Sequence, residues 1–392
     1  MRRRSGRIAL VAGVLTIALG GQAFVGDAEA GAGTTTPTLR APLASALSSQ
    51  SGSWAVVAMG QRGHPLNTFW ELFFRVPTAA TWRLVTPPGV ADNGGLTVSV
   101  TPAGSALVGF EPSQLLRYSP AAVSHNDGAG WDPALVPVSL AAVPDALTIA
   151  SSGSGTALAL VRRGSGELLT SSGSLLDWRP LPGVGSTGRG ADARCGHSGL
   201  DAVALNSSSD AMLGTGCRRA GQIGIFSLVG GHWQLDGPSL HGSLAHATTR
   251  VLRLNSSGLT TTALVAEERH HQTGLLGLWR SATGIWTQTL PLSLGASTTV
   301  LATAAGASGQ QLVLLKNRGS SDSLEETAGP DRPWVGLPTP PAGTVTVAPL
   351  SDGGANAFSV AGSRLRVFTL TPQGGKWVLS QHMNVPIAYG SS

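Results

Sequence analysis

The chain has 392 residues, of which 42% are hydrophobic and only 12% charged, and its 26 Lys and Arg against 21 Asp and Glu leave a formal charge of +5. So small an excess, without aromatic residues interleaved among the basic ones, argues against a nucleic-acid partner. The length exceeds what one ordinary hydrophobic core fills, so the chain is either two domains or one repetitive, self-closing domain.

Residues 1–30 read as a secretory signal peptide. MRRRSGR is a positive n-region, IALVAGVLTIALGG an apolar h-region, and Ala28-Glu29-Ala30 a small-x-small cleavage site. The apolar run is about 14 residues, short of the ~18–20 that a spanning helix needs, and no later stretch approaches that length. The mature chain is therefore expected to be secreted, monomeric and without a transmembrane segment. Arg3-Arg4 leaves both the Sec and the Tat route open. Many arginines against two lysines, Lys316 and Lys376, with abundant Ala and Gly, point to a bacterial source. Residues 31–42 form a short N-terminal tail, and 43–392 the folded domain.

Along that domain Trp82, Trp131, Trp178, Trp233, Trp286, Trp334 and Trp377 each close a short turn, at spacings of 43 to 55 residues. Between them lie short Val, Leu and Ala stretches separated by Gly and Ser turns, with no sustained 3.6-residue stripe. In the second unit the strands read as A, LTVSV (96–100); B, ALVGF (106–110); C, QLLRY (114–118); and D, WDPALVPV (131–138). The fifth repeats them as VLRLN, TTALVAE, GLLGLW and IWTQTL. Four-stranded antiparallel blades repeated around a channel make an all-β fold, a seven-bladed β-propeller, which leaves only short protected edges. Two linked β-sandwiches are the alternative, but no long polar linker interrupts the rhythm. Strand A of the first unit comes either from LASALSS (43–49) or from the C-terminal HMNVPIA. The turn spacing in SSQSGSWAVVA favours the N-terminal segment.

Residues 124–131, SHNDGAGW, resemble the Asp-box of sialidase-like (BNR) repeats, with Ser124, Asn126 in place of the family's Asp, Gly128 and Trp131. The resemblance covers one hairpin as a motif and the rest of the chain as a rhythm. It implies that the polar side chains brace the C–D turn and that the repeated tryptophans pack between neighbouring sheets. A sialidase would also need an arginine cluster, a Tyr nucleophile and a Glu to polarise it. Tyr118 and Tyr389 are the only tyrosines; the first ends a C strand on the Asp-box side and the second lies in the last four residues, so no catalytic residue is assigned. A spatially assembled carboxylate pair stays open as a glycosidase or lyase alternative. The Gly-rich stretches sit in hairpins, so they form no phosphate loop. His270 and His271 beside Glu267 and Glu268 fall short of a metal-ligand set. Neither metal nor cofactor is expected.

Strand phase sorts the charges by face. In a propeller the B–C turns and D–A links emerge on one side, the A–B and C–D turns on the other. The B–C turns carry Arg62 and His64, Arg162 and Arg163, Arg218 and Arg219, Arg269 with His270 and His271, Lys316 and Arg318, and Arg364; the second unit has only Glu111 there. The long 183–199 link adds Arg189, Arg194 and His197. Of the bases, only Arg332 is expected at a C–D turn. Clustered cations around a concavity attract anions, and arginine's fork suits carboxylate or phosphate. The expected function is non-catalytic binding of an anionic glycan or cell-envelope polymer on the B–C face. An extracellular protein partner is the other binding alternative. Cys195 and Cys217, the only cysteines, fall at the start of strand A and the end of strand B of the fourth unit, which predicts a disulfide.

Overall fold

The computed structural model describes residues 37–386 apart from 62–63, 65–66, 89–93, 112–115, 151–154, 162–166, 174, 182–193, 207–209, 258–259 and 373–374. Residues 1–30, with the expected signal peptide, and Arg62, Arg162, Arg163, Arg189 and Tyr389 lie outside the described residues.

The Val, Leu and Ala stretches pair as strands, since short apolar side chains can be buried on both faces of stacked sheets. The strands fall into successive antiparallel runs of four, A to D. The first comprises Ser45–Ser48, Ser53–Gly60, Thr68–Arg75 and Arg83–Leu84, and the second Leu96–Val100, Ala106–Phe110, Ser119–Ser124 and Asp132–Val136. Next come Leu147–Ile149, Ala157–Val161, Glu167–Ser171 and Trp178–Leu181, then His197–Leu205, Ala211–Cys217, Ile225–Val229 and His232–Leu235. Thr248–Ser257, Thr260–Arg269, Gln272–Arg280 and Trp286–Gln288 follow, with Leu292–Leu294 also paired to the third of these. The last two runs are Thr298–Ala305, Gln311–Asn317, Ser323–Thr327 and Val335–Leu337, and then Thr344–Pro349, Ala355–Ala361, Arg364–Leu370 and Val378–Asn384.

The tryptophans show how the runs are arranged. Trp131 of the second run donates its indole N–H to Val85 O at the end of the first (2.9 Å), Trp334 of the sixth to Thr289 Oγ1 beyond the fifth (3.1 Å), and Trp377 of the seventh to Pro338 O beyond the sixth (3.0 Å). The same backward step from the first run reaches the seventh, where Trp82 donates to Asn356 Oδ1 (2.8 Å). Apolar seams agree. One cluster joins the first and second runs, others continue through the third, fourth, fifth and sixth, and a last one joins the sixth and seventh back to the first. Sheets that pack face to face and return to their start circle an axis, which is the architecture of a β-propeller. Strand A of the first run is the N-terminal Ser45–Ser48, bound to the seventh run through Ser48 and Ser53 hydroxyls that donate to Pro349 O (both 3.2 Å).

Two features depart from separate blades around an open channel. Ser45–Leu47 pairs in parallel with Thr303–Ala305, and Gly216–Cys217 pairs antiparallel with Thr249–Arg250, so the sixth and first runs share one sheet and the fourth and fifth another. At the axis, buried Arg253 of the fifth run donates through Nε and Nη2 to Asp145 (2.8 and 2.9 Å) and through Nη1 to Thr303 Oγ1 (2.8 Å), tying three inner strands or their approaches together. Residues of the tail close in beside them: Pro37 O accepts from Arg250 Nη1 (3.3 Å), while Leu39 and Ala41 pack on the fifth–sixth seam. Among the described residues no helix is long and apolar enough to cross a membrane.

Strand C of the second run is Ser119–Ser124, not 114–118 as the sequence suggests. Apolar Leu115-Leu116 invites the earlier placement. The sheet instead buries the small Ala121, Ala122 and Val123, and Ser119 Oγ accepts from Leu140 N (2.9 Å), whereas Leu116, Arg117 and Tyr118 are exposed. Register is set by what fits the buried face, and the smaller side chains fit it.

Candidate functional site

Antiparallel alternation puts every B–C turn and D–A link at one end of the sheets and every A–B and C–D turn at the other. At the first end the fourth run carries a disulfide. Cys195 and Cys217 are disulfide-bonded and fully buried. The backbone beside them pairs too, Arg218 N–H donating to Gly196 O (3.3 Å) and Arg219 N–H to Cys195 O (3.0 Å). The stems of both arginines stand over Gly196, which has φ +58°; a Cβ placed there would lie 3.7 Å from Arg219 Cγ and 3.8 Å from Arg218 Cβ. Arg194, Arg218 and Arg219 are all exposed, so the disulfide gathers three cations that the sequence separates. His197 opens strand A directly opposite Cys217.

The remaining basic residues are spread one turn at a time around the same end. His64, Lys316, Arg318 and Arg364 are exposed. His270 and His271 form the tip of a tight turn with φ of +47° and +64°. Arg269 is committed elsewhere, half-buried, with Nε 3.8 Å from Glu267 Oε2 and Nη1 donating to Ser243 O (3.4 Å). Burial pushes the Glu267 carboxyl above the usual range; Arg269 opposes that shift and Glu268 adds to it. The register change in strand C moves exposed Arg117 and Tyr118 onto this end, so the second unit does contribute a base. Exposed Arg40 of the tail adds another. Of the acids here Glu111, Asp145, Asp201 and Glu267 are buried, Glu268 and Asp322 are half-buried, and Glu167 is exposed. Asp201 is bonded to Arg250 through both oxygens (2.9 and 3.1 Å), and its burial outweighs that pairing to hold the carboxyl above its usual pKa.

The opposite end is not free of bases. Besides Arg332, exposed Arg83, Arg179 and Lys376 lie there, which corrects the sequence-based sorting: the first two begin D strands, and Lys376 lies inside a C–D turn. Exposed Asp132, Asp177, Asp210, Asp331 and Asp352 share this end, leaving it close to neutral. The difference between ends therefore comes as much from where the acids are buried as from where the bases are placed.

The SHNDGAGW hairpin is internally braced. Ser124 Oγ accepts from Gly128 N (2.9 Å) and donates to Asn126 Oδ1 (2.9 Å), which also accepts from Gly130 N (2.8 Å). Asp127 and Gly128 turn through φ of +57° and +76°. Trp131 packs against the first run, 6.4 Å edge-on from Trp54. The hairpin thus carries structure at the neutral end. Trp178 and Trp233 are buried in the seam through the third and fourth runs, and Trp286 packs on the fourth–fifth seam. Among the described residues no three His, Cys, Asp or Glu side chains converge as metal ligands.

No protein-family model and no curated protein matches the chain. It is distantly similar to several solved structures. One is TolB from Acinetobacter baumannii, at 10% identity and a TM-score of 0.41, over 85% of this chain and 63% of that one, so the chain spans less than two thirds of TolB. Another is SapL1 lectin in complex with alpha methyl fucoside, at 12% identity and 0.45, over 78% and 97%. A third is the β-propeller domain of the Trilobed protease from Pyrococcus furiosus, at 9% identity and 0.47, over 88% and 100%.

Proposed function

We propose that the chain is an exported, non-catalytic, seven-bladed β-propeller, related in its C–D hairpin to Asp-box repeats, that binds an anionic glycan or cell-envelope polymer across its B–C end. The observation that carries this is the asymmetry of exposed charge. At the B–C end exposed bases recur from unit to unit while Asp145, Asp201, Glu111 and Glu267 are buried. Exposed bases that outnumber the exposed acids keep a positive potential that steers polyanions. Arg194, Arg218 and Arg219, held on one disulfide-pinned corner, offer forked donors to carboxylate or sulfate. The tail at the axis leaves the rim rather than a central well as the contact surface, which suits an extended polymer.

Binding of the mature protein to immobilised uronic-acid and sulfated glycans, measured at low and at physiological salt, tests the proposal. Replacing Arg194, Arg218 and Arg219 together by Ser should weaken binding by roughly 5- to 100-fold at low salt, flatten the salt dependence, and leave the melting temperature unchanged, because exposed charges contribute mainly screened attraction. Equal binding by the triple variant overturns the placement of the site, and release of reducing ends from any glycan overturns its non-catalytic character.

A further inference from the structure

At the opposite end of the sheets, the A–B turns of the first, sixth and seventh runs enclose a cavity of about 390 Å³. That is at the small end of the ~300–1,000 Å³ typical of ligand sites. Its wall is mixed: Val76, Pro77, Ala307 and Leu350 stand beside the hydroxyls of Ser48 and Ser49, the amides of Gln50 and Gln310, the Arg75 guanidinium and the Asp352 carboxylate, and no aromatic residue lines it. Arg75 is held in place: its Nε donates to Ala79 O (2.6 Å) and its Nη1 to Asn356 Oδ1 (3.2 Å). Its Nη2 hydrogens have no protein acceptor among the described residues. Asp352 accepts from Gly354 N through Oδ1 (2.9 Å). Among the described residues no ion pair joins it to Arg75, although both line the same space. Burial pushes the guanidinium below its usual pKa and Asp352 partly offsets that, so the two charges act on each other across the cavity.

One fixed positive and one fixed negative group, facing a small cavity without neutralising each other, select against ligands of a single sign. An anion placed on Arg75 meets Asp352, and a cation placed on Asp352 meets Arg75. A neutral sugar would find donors and acceptors but no ring to stack on. We propose that the cavity binds a small zwitterion of the α-amino-acid type, with its carboxylate on Arg75 and its ammonium on Asp352. The hydroxyls and amides of the wall hold whatever further polar atoms the ligand carries. This site is independent of the cationic rim.

Calorimetric titration of the mature protein with a panel of free amino acids, their N-acetyl and amide derivatives, and glucose tests the assignment. At least one free amino acid should bind, and each blocked derivative should bind about tenfold more weakly or worse, since each loses one charge-assisted contact. Asp352→Asn retains the acceptor for Gly354 and sits on an exposed turn, so it should fold normally while losing about tenfold for the free amino acid and binding the N-acetyl form at least as well as before. The Arg194/Arg218/Arg219→Ser protein should bind amino acids as the unaltered protein does. Absence of binding by every free amino acid, equal binding of blocked forms or of glucose, or an unaltered Asp352→Asn protein overturns the proposal.

Discussion

Replacing Cys195 and Cys217 together by Ala separates what the disulfide does for the fold from what it does for the rim. The bond closes a loop with a sequence separation of 22. In the chain-entropy picture a loop of that size contributes about 3 kcal/mol by restricting the unfolded chain. Both residues are fully buried, so removing the sulfurs also leaves a small void, worth about a further 1–2 kcal/mol. If the folded domain of about 350 residues melts as one unit, unfolding entropy near 2.1 cal/mol/K per residue converts the total into a fall of about 5–7 °C. Differential scanning calorimetry under non-reducing conditions reads this directly, and intact-mass measurement after alkylation without reduction should find no free thiol in the unaltered protein. With the bond gone, Arg194 is released from Arg218 and Arg219, so polyanion affinity should also fall while amino-acid binding at the other end holds. A melting temperature within about 1 °C of the parent refutes the loop-closure reasoning, and two alkylated thiols refute the bond itself.

The axial ion pair gives a larger effect. Arg253→Met leaves Asp145 buried with its principal partner removed, since both oxygens were bonded to that guanidinium, and should cost about 3–5 kcal/mol in urea unfolding. Arg253→Met with Asp145→Leu should recover much of it, and a double variant no better than the single one contradicts the assignment. Glu267 sets a pH dependence. Its folded pKa is raised, so between the unfolded value near 4.5 and the folded one the native state holds the extra proton, and its contribution to stability falls as pH rises through that window. Glu267→Gln should therefore raise the melting temperature at neutral pH, with the advantage vanishing toward pH ~4; an equal shift at both pH values rules the carboxyl out.

Much of the architecture is written locally. The tryptophan turns, the Gly and Ser punctuation and the short apolar strands each act within a few residues, and the buried tryptophans sit where their spacing put them. The cysteine pairing followed from strand phase, because antiparallel neighbours bring the start of A and the end of B to one end of a sheet. In the second unit the same phase reading failed, since QLLRY and SPAAVS both alternate acceptably and only packing against the next sheet chooses between them. That single slip hid Arg117 and Tyr118 from the B–C end.

What the sequence determined by itself was the β repeat, the turn chemistry and the cysteine register, all of which depend on periods of two residues or on contacts between adjacent strands. What only the tertiary structure decided was everything that joins distant runs: Arg253 on Asp145, Arg250 on Asp201 and Pro37, the shared sheet between the first and sixth runs, and the cavity where Arg75 faces Asp352. Such groups lie tens to hundreds of residues apart. Whether a charged residue is exposed on a rim or neutralised at the axis depends on which partner the closed ring brings to it, and that burial leaves no local mark in the chain.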